Sequence, residues 1–173
     1  WKSFCLLDIK EEMLIWNFVF GLAVGSFLNV LAVRYDPDQF LLSKKVLGGR
    51  SACPKCGNKL KWFELIPLLS FLFLAGRCQT CRHKISWQYP IVELISGLIF
   101  VLVPLYLSNS TTLNLFNLPS IGYWSLVTSY LLVFLTLLLV SLIDLRLRLI
   151  PDEANLFLII LGLGLVFLTR PHF

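Results

Sequence analysis

Charge is scarce in this sequence. Only 14% of its 173 residues are Asp, Glu, Lys or Arg, while 57% are hydrophobic, against roughly 25% charged in an ordinary soluble domain. So few charges cannot clothe a water-facing surface, which excludes a soluble globular protein and points to a membrane protein. Methionine occurs once, at Met13, directly before the first apolar run, and Trp1 is not an initiator. Residues 1–12 are therefore expected to be an irregular N-terminal extension. They are not expected to be a signal peptide, because Asp8, Glu11 and Glu12 give the wrong sign for a basic n-region.

What is abundant are apolar runs and aromatic rings. Fourteen Phe and five Trp suit a bilayer solvent and its interfaces. Residues 14–33 carry no formal charge, about the length that a hydrocarbon core of roughly 30 Å requires. Further spans are expected at Ile91 to about Leu107, Trp124 to Ile143, and Ala154 to about Leu168. The fold class expected is all-α, a polytopic membrane protein with about four transmembrane helices. Its segments are the first helix at 13–33, a loop domain at 34–89 and a helical region at 90–173. In the first span, Gly21, Gly25 and Ser26 supply the small residues that let helix backbones approach closely. Asn29 needs a polar partner there.

The positive charge is concentrated. Ten of the fifteen Lys and Arg lie between Arg34 and Lys84, against three acids, Asp36, Asp38 and Glu64. Basic loops between spans stay on the cytoplasmic side, so the loop domain is expected there, with no nucleic-acid partner needed to explain its charge. Its apolar middle, Leu65 to Ala75, is too short to span and is expected to be an interfacial or buried helix.

That loop holds two CxxC pairs, Cys53 with Cys56 and Cys78 with Cys81, separated by 21 residues. Two such pairs can turn four thiolates toward one tetrahedral Zn²⁺. A pair of disulfides competes with this reading but is disfavoured in a reducing compartment. With four ligands and no vacancy the metal is expected to be structural. His83 is a surface residue or a fifth donor.

Acids beside the spans are few. Glu93 lies one turn into the second span, where it is either a helix-start carboxylate favoured by the dipole or a functional group. Asp144 ends the third span, where the helix dipole disfavours a carboxylate. It suits an acid pair, in which one member acts as base and the other as acid. Asp152 follows Pro151 and can cap the next helix, with Glu153 in its first turn.

Taken in order, GSFLNV, CPKC and CQTC around ELIPLLSFLFLAGRC, ISWQYPIVEL and IDLRLRLIPDE resemble the bacterial type IV prepilin peptidase (leader peptidase) family over about Phe20 to Gly162. The resemblance implies a multi-pass aspartic endopeptidase of the GxGD type in the bacterial inner (cytoplasmic) membrane. It would cut the leader from type IV prepilins or type II secretion pseudopilins at the cytoplasmic face. Many members then methylate the new N-terminus with S-adenosylmethionine. The resemblance places the first catalytic aspartate at Asp144 and makes Asp152 a weaker catalytic candidate. It assigns zinc to Cys53, Cys56, Cys78 and Cys81, and makes Glu93 and Gly97 candidates for binding the methyl donor. The partners implied are the prepilin or pseudopilin substrate and membrane lipids. The family's second aspartate lies in a GxGD motif, and no Gly-Asp dipeptide occurs here, so a C-terminally truncated chain holding half of the acid pair is expected. The alternatives are a membrane-anchored zinc-binding module without protease activity and a methyltransferase-only protein.

Overall fold

The computed structural model describes residues 2–41, 43–53, 55–109 and 120–169. They form helices α1 (Lys2–Arg34), α2 (Lys44–Leu47), α3 (Leu69–Phe73), α4 (Gln88–Asn109), α5 (Ser120–Leu147) and α6 (Asp152–Thr169), with a 3-10 turn at Trp62–Leu65. The all-α expectation holds: among the described residues the only extended pairing is two isolated bridges, Ala52 with Lys59 and Arg77 with Lys84. Among the described residues three helices are long and apolar enough to cross a membrane, at Glu12–Arg34, Gln88–Ser108 and Gly122–Leu147. The fourth expected span coincides with α6, which is 18 residues long. Helical backbone also covers residues 2–12, the segment set apart above as an extension.

The chain divides into two compact units, Trp1–Leu98 and Ile99–Phe173. In the first unit α1 and the start of α4 touch backbone to backbone. A Cβ placed on Gly25 would lie 2.8 Å from the Cα of Glu93 and 2.8 Å from the Cβ of Ser96, so only glycine admits this approach. Asn29 is fully buried and finds one partner, its Nδ2 donating to the Tyr89 carbonyl at 3.2 Å. Pro37 follows the end of α1 and cannot continue a helix. Arg34 then ties the chain down by donating to the carbonyls of Val46 at 3.4 Å, Gly49 at 3.2 Å and Gly48.

The apolar stretch 65–75 is not one helix. Pro67 has no amide to donate and Leu68 takes a left-handed φ of 55°, so the 3-10 turn stops at Leu65 and α3 starts afresh at Leu69.

In the second unit Val103, Leu107, Leu126 and Val127 form a core, with Ile99, Tyr123, Leu131 and Leu165 packed around it. The hydroxyls of Ser125, Thr128, Ser129 and Thr136 donate to carbonyls three or four residues earlier in α5. They are thereby satisfied without water, as a membrane helix requires. Helix α5 closes at Arg148, whose φ of 56° directs its N–H to the Asp144 carbonyl at 2.7 Å. Pro151 then starts α6, its carbonyl accepting from Ala154 and Asn155 at 3.1 and 3.3 Å.

Candidate metal centre and adjoining cavity

Each CxxC pair sits in a tight knuckle, and the two knuckles are built alike. In the first, Cys53 N–H donates to the Asn58 carbonyl and Gly57 N–H to the Cys53 carbonyl, both at 2.9 Å. In the second, Cys78 N–H donates to the His83 carbonyl and Arg82 N–H to the Cys78 carbonyl, again at 2.9 Å. The residue after the second cysteine must take a left-handed conformation, with φ of 68° at Gly57 and 55° at Arg82. Glycine does so at no cost, whereas arginine does not. The Asn58 amide donates across to the Thr80 hydroxyl at 2.7 Å, holding the knuckles face to face.

Four sulfurs converge as a result. The ligand atoms of Cys53, Cys56, Cys78 and Cys81 all lie within 4.8 Å of one another, and the Sγ atoms of Cys53 and Cys81 are 3.8 Å apart. A tetrahedron with metal–sulfur bonds of about 2.3 Å has edges of about 3.8 Å, so the cluster has the dimensions of a four-thiolate metal site. The cysteines are free rather than paired as disulfides. The amides of Cys56 and Lys55 hold the Cys53 thiol down to about 7. At Cys81 the His83 amide pulls the same way, but desolvation and the neighbouring sulfurs of Cys56, Cys78 and Cys53 prevail and push it up to about 11. Like charges oppose the ionisation of four adjacent thiols, and a bound cation removes that opposition.

A cavity of about 390 Å³ adjoins the cluster, within the size range of small-molecule sites. Cys53 and Cys78 form part of one wall, Arg34, Lys84 and Glu64 contribute charge, Phe71 and Tyr89 contribute rings, and Glu93 lines it from α4. Glu93 is only 7% exposed. Its Oε2 accepts the Leu68 N–H at 2.8 Å and its carboxylate also takes the Ser26 hydroxyl. Neither neighbour carries charge, and a buried carboxylate without a counter-charge is costly. The cavity thus holds a buried acid, Glu93, alongside the cations Arg34 and Lys84.

The other candidates lie elsewhere. Gly97 is buried in helix packing, where an added Cβ would fall 2.7 Å from the Phe18 ring. Asp144, near the end of α5, and Asp152, the first residue of α6, are both exposed and belong to the second unit. His83 is exposed and serves its knuckle through its backbone. Sequence reasoning missed Arg34, Ser26 and the Leu68 amide as parts of this site. The Leu68 amide has no sequence signature, because its position follows from a left-handed turn after Pro67.

The description bacterial peptidase A24 N-terminal domain matches residues 19–107. A prepilin leader peptidase/N-methyltransferase of Myxococcus xanthus is 50% identical over 86 residues, which is 50% of this chain and 24% of that protein. Proteins of the same name from Bacillus subtilis and Vibrio cholerae are 35% and 37% identical, over 81% and 72% of this chain and 49% of each relative. The chain therefore spans about half the length of these two relatives and a quarter of the first. No solved structure matches it.

Proposed function

The chain belongs to the family of the bacterial peptidase A24 N-terminal domain, and from that premise we propose that it is part of a prepilin leader peptidase that also N-methylates its product. The reading is carried by one observation. The four sulfurs that meet within 4.8 Å fall inside the segment that the family description matches, beside the Glu93 cavity.

In this reading Cys53, Cys56, Cys78 and Cys81 hold Zn²⁺, which fixes the two knuckles relative to each other and takes no part in bond breaking. Asp144 is one member of the acid pair. A carboxylate there would take a proton from the water that attacks the scissile carbonyl, while a second acid protonates the leaving amine. In a protein of the relatives' length that second acid comes from outside these 173 residues. Asp152 is the weaker catalytic candidate. The exposure of Asp144 supports access by a peptide, and the basic loop between spans supports a reaction at the cytoplasmic face, in this reading that of the bacterial inner membrane. The substrates in this reading are type IV prepilins or type II secretion pseudopilins.

The methylation half rests on the cavity. S-adenosylmethionine supplies a methyl group from a positively charged sulfur, and the buried Glu93 carboxylate suits that charge. Arg34 and Tyr89 frame the same space. Gly97 serves from behind, by admitting the Phe18 ring against α4. Since the family-matched segment ends before Asp144, a protein that methylates without cleaving is the second reading. Prepilin cleavage by a chain extended to the relatives' length, compared with its Asp144→Asn variant, separates the two, since a protein that only methylates cleaves in neither form. The expected result is a variant that stays in the membrane and leaves the leader attached. Undiminished cleavage sinks the assignment of Asp144.

A further inference from the structure

Helix α4 has no length to spare. Its span Gln88–Ser108 is 21 residues, about 31 Å at 1.5 Å per residue, against a hydrocarbon core of roughly 30 Å. Both ends must therefore sit at the two faces of the bilayer. Glu93 lies five residues inside the Gln88 end, about 7 Å below that face. Its carboxylate holds the Leu68 amide at 2.8 Å, so the start of α3 sits at the same depth. A second contact repeats the placement, since the Phe71 ring packs on Trp87 with centroids 4.9 Å apart, and Trp87 directly precedes α4.

At that depth the outward side chains are apolar. Phe73 is 84% exposed, Leu72 72%, Leu69 49% and Leu65 45%, and Trp87 is 70% exposed. Lys61, Arg77 and Lys84 are also exposed in the flanking loops. We infer that the segment Leu65–Phe73 is a membrane-inserted wedge, its apolar face in the acyl chains of the leaflet at the Gln88 end of α4 and its flanking cations on anionic lipid headgroups. The occupant of this face is lipid rather than protein for two reasons. The segment is tied to the membrane-crossing helix α4 by the Leu68–Glu93 and Phe71–Trp87 contacts, and its boundary has the Trp and Lys/Arg composition of a bilayer interface. Each flanking cation adds attraction to an anionic surface. The inference stands apart from the proposed activity, because it uses only the span of α4 and the contacts of α3.

The test uses the whole chain in nanodiscs of mixed phosphatidylglycerol and phosphatidylcholine. Phe73 is replaced by para-trifluoromethyl-phenylalanine, a change small enough to leave the fold intact, and a second chain carries the label at Leu72. Gln79, exposed on a knuckle, carries it as the water-facing control. Fluorine relaxation is measured with lipid-soluble oxygen and with a water-soluble gadolinium chelate. The expected outcome is an oxygen-to-chelate ratio severalfold higher at positions 73 and 72 than at 79. A ratio equal to that at 79 means water covers the face, and shielding from both reagents means protein covers it. Either result overturns the inference.

Discussion

The tightest point in the first unit is Gly25, and the smallest possible addition there should be felt. In Gly25→Ala the new methyl meets the Glu93 Cα at 2.8 Å, the Ser96 Cβ at 2.8 Å and the Val92 carbonyl oxygen at 3.0 Å. Two of these three atoms are backbone and none is the end of a flexible side chain, so the helices themselves must separate. Reaching ordinary contact near 3.4 Å takes about 0.6 Å of movement, and overpacking of this kind costs about 1–3 kcal/mol. The same movement stretches the Asn29 to Tyr89 bond from 3.2 Å toward the limit of hydrogen bonding and shifts Glu93 at the cavity. Unfolding in detergent by titrated SDS, followed by circular dichroism, should show a population ratio lower by roughly fivefold or more. Gly25→Val should be worse. Gly162→Ala is the control, because nothing lies within 4 Å of its Cβ position. If Gly25→Ala unfolds at the same SDS fraction as the native chain, α1 and α4 do not meet at Gly25 and the reasoning fails.

Cys53→Ser should lower bound zinc to background and expose the knuckles to protease, measured by metal analysis and limited proteolysis; full zinc content would rule out the four-thiolate site. Zinc affinity should rise with pH, since Cys53 is held near 7 and Cys81 near 11: the metal must displace protons, so competition titrations should read weaker binding at pH 6 than at pH 8, with proton release on loading. Arg82→Gly should stabilise the second knuckle by about 1 kcal/mol, since it removes a left-handed non-glycine residue. Gly57→Ala should cost the first a similar amount, and zinc-loaded melting curves compare the two. Glu93→Gln should weaken binding of S-adenosylmethionine at least tenfold in equilibrium dialysis while leaving zinc content unchanged; unaltered binding would remove the donor from this cavity.

The helices and the cysteine cluster were legible because their signals are local. Twenty uncharged residues need a bilayer wherever they occur, and CxxC repeated at this spacing has few uses other than a metal. The break in the 65–75 stretch was less legible, since apolar composition says nothing about a left-handed Leu68, although Pro67 was its visible cause. The cavity was not legible at all. It is assembled from Ser26 and Arg34 on α1, the knuckles, and Glu93 on α4, and no local pattern joins residues that distant in sequence. Arg34 read as one more charge of a basic loop, yet its guanidinium closes the turn after α1 through three carbonyls.

The likeness of the two knuckles has a consequence for that cavity. In each, the first cysteine is buried and the second is exposed, and it is the buried pair, Cys53 and Cys78, that lines the cavity. A metal held by all four sulfurs therefore fixes the cavity wall by its inner pair while its outer pair faces solvent. The floor is fixed independently, by Gly25 against α4 and by Glu93 holding the Leu68 amide. Wall and floor thus have separate supports, one dependent on metal and the other on helix packing. Chelation should loosen only the wall, whereas a methyl at Gly25 should displace only the floor.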